Sequence, residues 1–271
     1  MTPEIANWLG QAWIRYFPLS IYVRELVSSG RLGKVSRVFA DLSNANKLEE
    51  SIEDSHRMVS PDLAGGALLD LGFYSLTWIF QTLYSTQGDD AVKPQVLSSM
   101  QKYRLGTDEM TTVLLTFPRS EGGDAHGIAT TSIRVASDPD GKRTAGPCVR
   151  IQGDRGEVQV FPPAYRPTRT KLVLQDGTVD EKVWEVPGVG PGSGWYNGFA
   201  PANDWNAEGE GHGMFWEADE CALALRDGRK EGRFESLDES IAIMQVMDEV
   251  RQQHGMTYPE RIETTEYPVH V

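Results

Sequence analysis

The chain has 271 residues, with 39 acidic and 26 basic side chains and a formal net charge of −13. An acidic chain repels phosphate, so this charge argues against a nucleic-acid-binding protein. Hydrophobic residues make up 39% of the chain, which is enough for a sizeable core and excludes a disordered or collagen-like protein. Cys148 and Cys221 lie far apart and outside any C-x-x-C pattern, so we expect neither a disulfide framework nor a metal site.

The beginning of the chain carries Glu4 and no apolar run, which is unlike a signal peptide. No stretch reaches the roughly 18 consecutive apolar residues that a membrane-spanning helix needs. The sequence therefore predicts a cytoplasmic protein whose partners include neither a membrane nor nucleic acid.

The first elements alternate between helix and strand. Apolar residues at helical spacing predict a helix over 19–27, which Gly30 ends. The alternating segment 34–42 predicts a strand, and the polar segment 43–61 predicts a long surface loop. The next helix is predicted over 63–84 with Ser60 or Asp62 as its cap, and its almost uniformly apolar composition indicates that it is buried.

From residue 94 onward, short alternating segments separated by turn-forming residues predict a sheet. The predicted strands are 95–104, 111–117, 127–136, 148–152, 157–161, 171–174 and 182–186. Short connections imply mostly antiparallel pairing. Two helices follow, one over 216–226 and one that a capping box opens at 236–239. The order of elements predicts a single α+β domain over 1–271, a large, mostly antiparallel open sheet with helices on one face.

The other face of this sheet is a predicted interface. In the segment 127–136, both sets of alternating positions are moderately apolar, since Ile128 belongs to one set and Ile133 to the other. An antiparallel sheet can leave one face to solvent or to a second subunit. We therefore expect a homodimer that forms through the open sheet face.

Asp70 and Tyr74 are the first candidate site residues, because a spacing of four places them on one helix face. Tyr74 could exchange a proton with a substrate if a nearby cation lowered its pKa from the ordinary value of about 10. A buried tyrosine whose hydroxyl bonds Asp70 structurally explains the same spacing. The spacing leaves both interpretations open.

A second candidate group is Trp13, Arg15 and Phe17. An arginine among aromatic residues can bind a carboxylate or phosphate, or form a cation–π contact that only stabilises the fold. Arg57, in the long loop before the Gly-Gly helix, is a third candidate, although an ordinary surface arginine is the simpler explanation. His212, between two glycines, is interpreted as a loop histidine rather than a ligand. The glycine-rich segment 188–194 lacks G-x-G-x-x-G spacing and is interpreted as a loop, not a phosphate-binding turn.

Three motifs together resemble one enzyme family. They are W-x-R-x-F-P at 13–18, G-G-A-L-L-D-L-G-x-Y at 65–74 and I-Q-G-D-R-G-E at 151–157. They resemble the Gfo/Idh/MocA oxidoreductases, in the branch that contains dimeric dihydrodiol dehydrogenase and NADP-dependent D-xylose dehydrogenase. The resemblance extends over residues 12–262, and it is strongest in the 65–74 motif.

The resemblance implies NADP as cofactor and a sugar or trans-dihydrodiol as substrate, oxidised at a CH–OH group. It implies that Tyr74 exchanges the hydroxyl proton and that Asp70 orients the tyrosine or the substrate. It also implies that Trp13, Arg15 and Phe17 line the cleft beside the nicotinamide, where they contact the substrate and Arg15 also contacts the cofactor. Arg57, from its place in the long loop, is added as a further substrate contact.

The resemblance covers the C-terminal domain of the family. The N-terminal Rossmann domain, with its G-x-G-x-x-G turn and the Glu-Lys-Pro segment that supplies a catalytic lysine, has no counterpart in the 271 residues. We therefore expect this chain alone to be a truncated form with neither NADP affinity nor turnover. The alternative is a non-catalytic binding or dimerisation module, or a sugar-pathway regulator of the same fold.

Overall fold

The computed structural model describes residues 12–195 and 208–266. Its centre is one eight-stranded sheet. The strands are β1 (Val35–Ser43), β2 (Gln95–Lys102), β3 (Asp108–Phe117), β4 (Ala125–Ser132), β5 (Val149–Gly153), β6 (Gly156–Val160), β7 (Arg169–Leu174) and β8 (Val179–Val183). Each strand overlaps one predicted from alternating hydrophobicity, because half-buried strands repeat their burial every second residue.

The strands lie in the order β2-β3-β4-β1-β5-β6-β7-β8. All neighbouring strands pair antiparallel except β1 and β4, which are parallel. The first strand in the sequence therefore lies in the middle of the sheet, between two groups of hairpin-connected strands. This arrangement confirms the predicted α+β fold with a large, mostly antiparallel open sheet.

Helices cover one face of this sheet. They are α1 (Pro18–Ser28), α2 (Leu48–Ser51), α3 (Leu68–Gly72, Phe73–Ile79 and Phe80–Tyr84), α4 (Phe215–Arg226), α5 (Leu237–Gln253) and α6 (Glu260–Glu263). The middle segment of α3 is α-helical and the two flanking segments are π-helical turns. Short 3-10 turns form at Trp13–Tyr16, Pro61–Leu63 and Ser85–Asp90.

The predicted start of α3 at residue 63 is wrong. Pro61–Leu63 is a separate 3-10 turn, which Ala64 ends in the left-handed region at a φ of +53°. The helix begins at Leu68, and its cap is neither Ser60 nor Asp62. Instead, the Leu68 N–H donates to the carboxylate of Asp108 on β3 at 2.8 Å. A residue distant in sequence thus satisfies one of the free N–H groups at the helix start.

Successive side chains of β1 point to opposite faces of the sheet, one buried and one open. Val38, Ala40 and Leu42 are buried against the helices, whereas Arg37 and Phe39 lie on the open face. The helical stretch 61–88 is long and apolar enough to cross a membrane, but 67% of its most apolar window is buried inside the fold. It is therefore the core helix of a folded domain.

Candidate functional site

Tyr74 and Trp13 are joined by a hydrogen bond at one end of the helical layer. Trp13 lies in the 3-10 turn before α1 and is buried, and Tyr74 lies on α3 and is half-buried. The Trp13 indole Nε1 donates to the Tyr74 hydroxyl oxygen at 2.9 Å. Two of the three motifs that resemble the family therefore meet at one phenol oxygen, through residues that lie 61 positions apart in sequence.

More rings complete an aromatic cluster around these two residues. The Trp13 ring stacks on His212 with centroids 4.8 Å apart and meets Phe17 edge-on at 5.4 Å. Tyr165 lies 6.2 Å from the Tyr74 ring and 6.3 Å from that of Trp13. Flat aromatic walls beside a phenol are suited to bind the apolar face of a sugar ring or a cyclic diol.

The aromatic environment keeps Tyr74 protonated. Burial is the main cause that raises its pKa above 10, and the negative charge of Asp70 raises it further. The hydrogen bond from Trp13 acts in the opposite direction, because it stabilises the phenolate. At neutral pH, Tyr74 is therefore a neutral phenol that can donate a proton.

Asp70 does not form the hydrogen bond with Tyr74 that one interpretation of their spacing required. Its carboxylate accepts a hydrogen bond from Arg57 Nη1 at 3.0 Å, in an ion pair whose arginine side chain is 66% exposed. Asp70 acts on Tyr74 only through its charge. The two residues share a helix face as predicted, but the partner of each comes from another segment.

Arg15 is separated from the other candidates. Its guanidinium is fully buried, forms an ion pair with Glu239 on α5 and donates to the Phe234 carbonyl at 3.2 Å. The guanidinium is therefore enclosed by contacts within the fold, and its contacts with substrate and cofactor remain a prediction. Phe17 is also buried, and its ring meets Trp216 edge-on at 4.6 Å.

The start of α3 is held in place on two sides. Asp108 accepts the hydrogen bond from the Leu68 N–H, and the Tyr258 hydroxyl donates a second hydrogen bond, to the Gly65 carbonyl at 2.7 Å. Gly66 has a φ of +126°, and a Cβ built there would lie 2.2 Å from the Asp108 Oδ1. The Gly-Gly pair is therefore needed where the chain enters the helix that carries Asp70 and Tyr74.

Tyr165 and His212 are the site residues that the sequence analysis missed. Tyr165 follows β6 and His212 precedes α4, so neither belongs to the three family-like motifs. The glycines on both sides of His212 were a usable signal, because such glycines indicate a close approach of backbone to its neighbours. Nothing in the local sequence marked Tyr165.

Comparisons with known proteins show to which family the chain belongs. A sequence model of the GFO/IDH/MocA C-terminal domain matches residues 21–159. The chain is 48% identical over 260 residues to the D-xylose 1-dehydrogenase (NADP(+)) of Hypocrea jecorina, covering 94% of this chain and 61% of that protein. It is 29% identical to the human trans-1,2-dihydrobenzene-1,2-diol dehydrogenase, covering 92% of this chain and 62% of that protein.

The fold also matches solved oxidoreductases. The aldose-aldose oxidoreductase of Caulobacter crescentus, complexed with glycerol, superposes with a TM-score of 0.59 at 18% identity, covering 90% of this chain and 61% of that one. The chain thus spans about three fifths of the length of each relative. The match to the domain model and the 48% identity to a member show that the chain belongs to the Gfo/Idh/MocA family of oxidoreductases and contains its C-terminal domain.

Proposed function

We propose that this chain is the substrate-binding domain of an NADP-dependent oxidoreductase that acts on a CH–OH group of a sugar, in the manner of D-xylose 1-dehydrogenase. The observation that carries the proposal is the Tyr74 phenol, which is held by the Trp13 N–H within an aromatic cluster. The identity of 48% to a D-xylose 1-dehydrogenase favours a sugar over a trans-dihydrodiol. We further propose that residues 1–271 form one domain and that the protein acts in the cytoplasm.

Tyr74 is the residue that exchanges a proton with the substrate. As a neutral phenol it donates a proton to a carbonyl oxygen when the substrate is reduced. In the oxidative direction the phenol must lose its proton, which its raised pKa opposes. A cation beside the phenol would lower that pKa, and the family resemblance places such a lysine in the Rossmann domain.

Trp13, Phe17 and the pair Arg57–Asp70 form the rest of the proposed substrate site. Trp13 supplies an apolar wall and Phe17 supports it from the buried side. Arg57 is exposed and bears N–H groups that can bind substrate hydroxyls, while its ion pair with Asp70 balances the charges of these two side chains. A charge-balanced pair suits an uncharged polyhydroxylated substrate.

The described residues do not fit the phosphate groups of NADP. A nucleotide-binding turn joins a strand to a helix whose N-terminus is free to bind the pyrophosphate. The glycine pair Gly65–Gly66 does precede a long helix, but no strand leads into it and the carboxylate of Asp108 occupies the helix N-terminus. NADP is therefore proposed as the cofactor of the whole enzyme, with its phosphates held outside residues 12–195 and 208–266.

The open sheet face supports the proposed homodimer. Leu97, Leu114, Ile128 and Phe39 are consecutive register partners across β2, β3, β4 and β1. They form one apolar row on the face that the helices leave uncovered, and Leu97 is 66% exposed. Contiguous apolar surface of this kind is typical of protein interfaces.

The proposal is tested by activity with NADP and D-xylose, measured on the chain alone and on a fusion to the Rossmann domain of a close relative. Turnover only in the fusion supports the proposal that this chain binds the substrate and that the Rossmann domain binds NADP. Turnover in the chain alone contradicts the assignment of cofactor binding to another domain. A folded, NADP-binding fusion without turnover on a sugar or a trans-dihydrodiol favours the non-catalytic binding module instead.

A further inference from the structure

The backbone around His212 is fixed on both sides. Nη2 of Arg166 donates to the Gly211 carbonyl at 2.8 Å, and a Cβ built on Gly211 would lie 1.9 Å from the Pro187 carbonyl oxygen. Gly213 has a φ of +92°, and a Cβ built there would lie 2.2 Å from the Phe17 ring. Side chains are excluded at both flanking positions, so the loop places the His212 ring in a defined position.

That position is against the flat face of Trp13. The two ring planes are 24° apart and their centroids are separated by 4.8 Å. The indole N–H lies in the plane of its ring, so a ring stacked on that plane restricts the direction in which the hydrogen is donated. The acceptor in that direction is the Tyr74 hydroxyl, 2.9 Å away.

We propose that His212 is a positioning residue for Tyr74: by stacking on Trp13, it keeps the indole N–H directed at the phenol oxygen. The inference rests on the proposed proton-transfer role of Tyr74, because that role makes the hydrogen bond functionally important. A donated hydrogen bond stabilises the phenolate relative to the phenol. His212 thereby assists the loss of the Tyr74 proton without touching the substrate.

The charge state of His212 suits this role. Burial, together with the Arg166 guanidinium, lowers its pKa below the ordinary value of 6.5. The stacked ring is therefore neutral at physiological pH. It shapes the position of Trp13 by contact and adds no charge beside Tyr74.

The test is solvent exchange of the Trp13 indole N–H, followed by NMR on the full chain. The variant Trp13→Phe identifies the Trp13 indole N–H signal, because that signal disappears. The variant Tyr74→Phe gives the exchange rate of this N–H when its acceptor is absent. His212→Leu fills the space with an apolar side chain but removes the flat ring, and His212→Phe restores a ring. The indole N–H groups of Trp78 and Trp184, bonded to Ala164 O at 3.0 Å and Thr170 Oγ1 at 3.1 Å, are internal controls for folding.

We expect His212→Leu to accelerate exchange at Trp13 about fivefold, which is the size of a stacked-ring contribution. His212→Phe should return the rate close to wild type, with Trp78 and Trp184 unchanged in both variants. An exchange rate of the Trp13 indole N–H in His212→Leu that equals the wild-type rate would overturn the inference. Because the readout needs neither cofactor nor turnover, an inactive enzyme would contradict the proposed function and leave this test unaffected.

Discussion

Asp108 makes the stability of the fold depend on pH in a direction opposite to that of most carboxylates. Its side chain is fully buried, and Oδ2 accepts hydrogen bonds from the Leu68 N–H and the Thr111 hydroxyl, each at 2.8 Å. Among the described residues, Oδ1 has no hydrogen-bond partner. Burial accordingly raises the pKa of Asp108 from 3.8 to about 6. Asp108→Asn removes the titration but keeps an oxygen acceptor for both donors.

The sign and size of the effect follow from these two pKa values. Between pH 4 and pH 6, the folded state keeps a proton on Asp108 that the unfolded state has released. The free energy of unfolding contributed by this group is therefore largest below pH 4 and falls as the pH rises through 6. A pKa difference of about 2, at about 1.4 kcal/mol for each unit, gives a loss of roughly 3 kcal/mol.

The assay is urea unfolding of the wild type and Asp108→Asn at several pH values between 4 and 8. Titration of other carboxylates cancels in the difference between the two proteins. As the pH rises from 4 to 8, we expect the free energy of unfolding of Asp108→Asn to increase by roughly 3 kcal/mol relative to that of the wild type. Asp62→Asn is the matched control, because that carboxylate is 62% exposed and should show little change. Parallel pH curves for the wild type and Asp108→Asn would refute the reasoning.

Two further predictions concern the core and the interface. Arg15→Ala leaves Glu239 buried without its ion-pair partner. In a urea titration, we expect this variant to lower the free energy of unfolding by about 3–5 kcal/mol. A decrease under about 1 kcal/mol, which is typical of an exposed ion pair, would contradict the stabilising role of the buried pair. Leu114→Glu places a charge in the apolar row beside Leu97 and should convert a dimer to a monomer in sedimentation at micromolar concentration. A wild-type chain that sediments as a monomer would contradict the proposed interface.

The sheet was predictable because its signal is local. Each strand shows its alternation within five to ten residues, and the turn-forming residues between strands mark their ends. Gly30, which follows the end of α1 at a φ of +69°, and the Ser236 cap of α5 are also local signals. The Ser236 Oγ accepts the Glu239 N–H at 3.2 Å, as the capping box predicts. These elements needed no knowledge of distant contacts.

The site was predictable only in its motifs, because its contacts connect distant segments. The α3 cap comes from Asp108, 40 positions after Leu68, so the nearby Ser60 and Asp62 were plausible but wrong. Arg15 meets Glu239 across 224 positions, and no local pattern distinguishes that buried pair from a ligand-binding arginine.

The central claim is that Tyr74 carries out proton transfer in this domain. The most direct measurement is kcat of the Rossmann-domain fusion with NADP and D-xylose, comparing Tyr74→Phe with Tyr84→Phe. Tyr84 is the matched control, because it lies on the same helix and packs against Phe80 at 5.2 Å, away from the aromatic cluster. We expect Tyr74→Phe to lower kcat by about 100-fold or more, as removal of a general acid–base group does, with Tyr84→Phe close to wild type. Wild-type kcat in Tyr74→Phe would contradict the account.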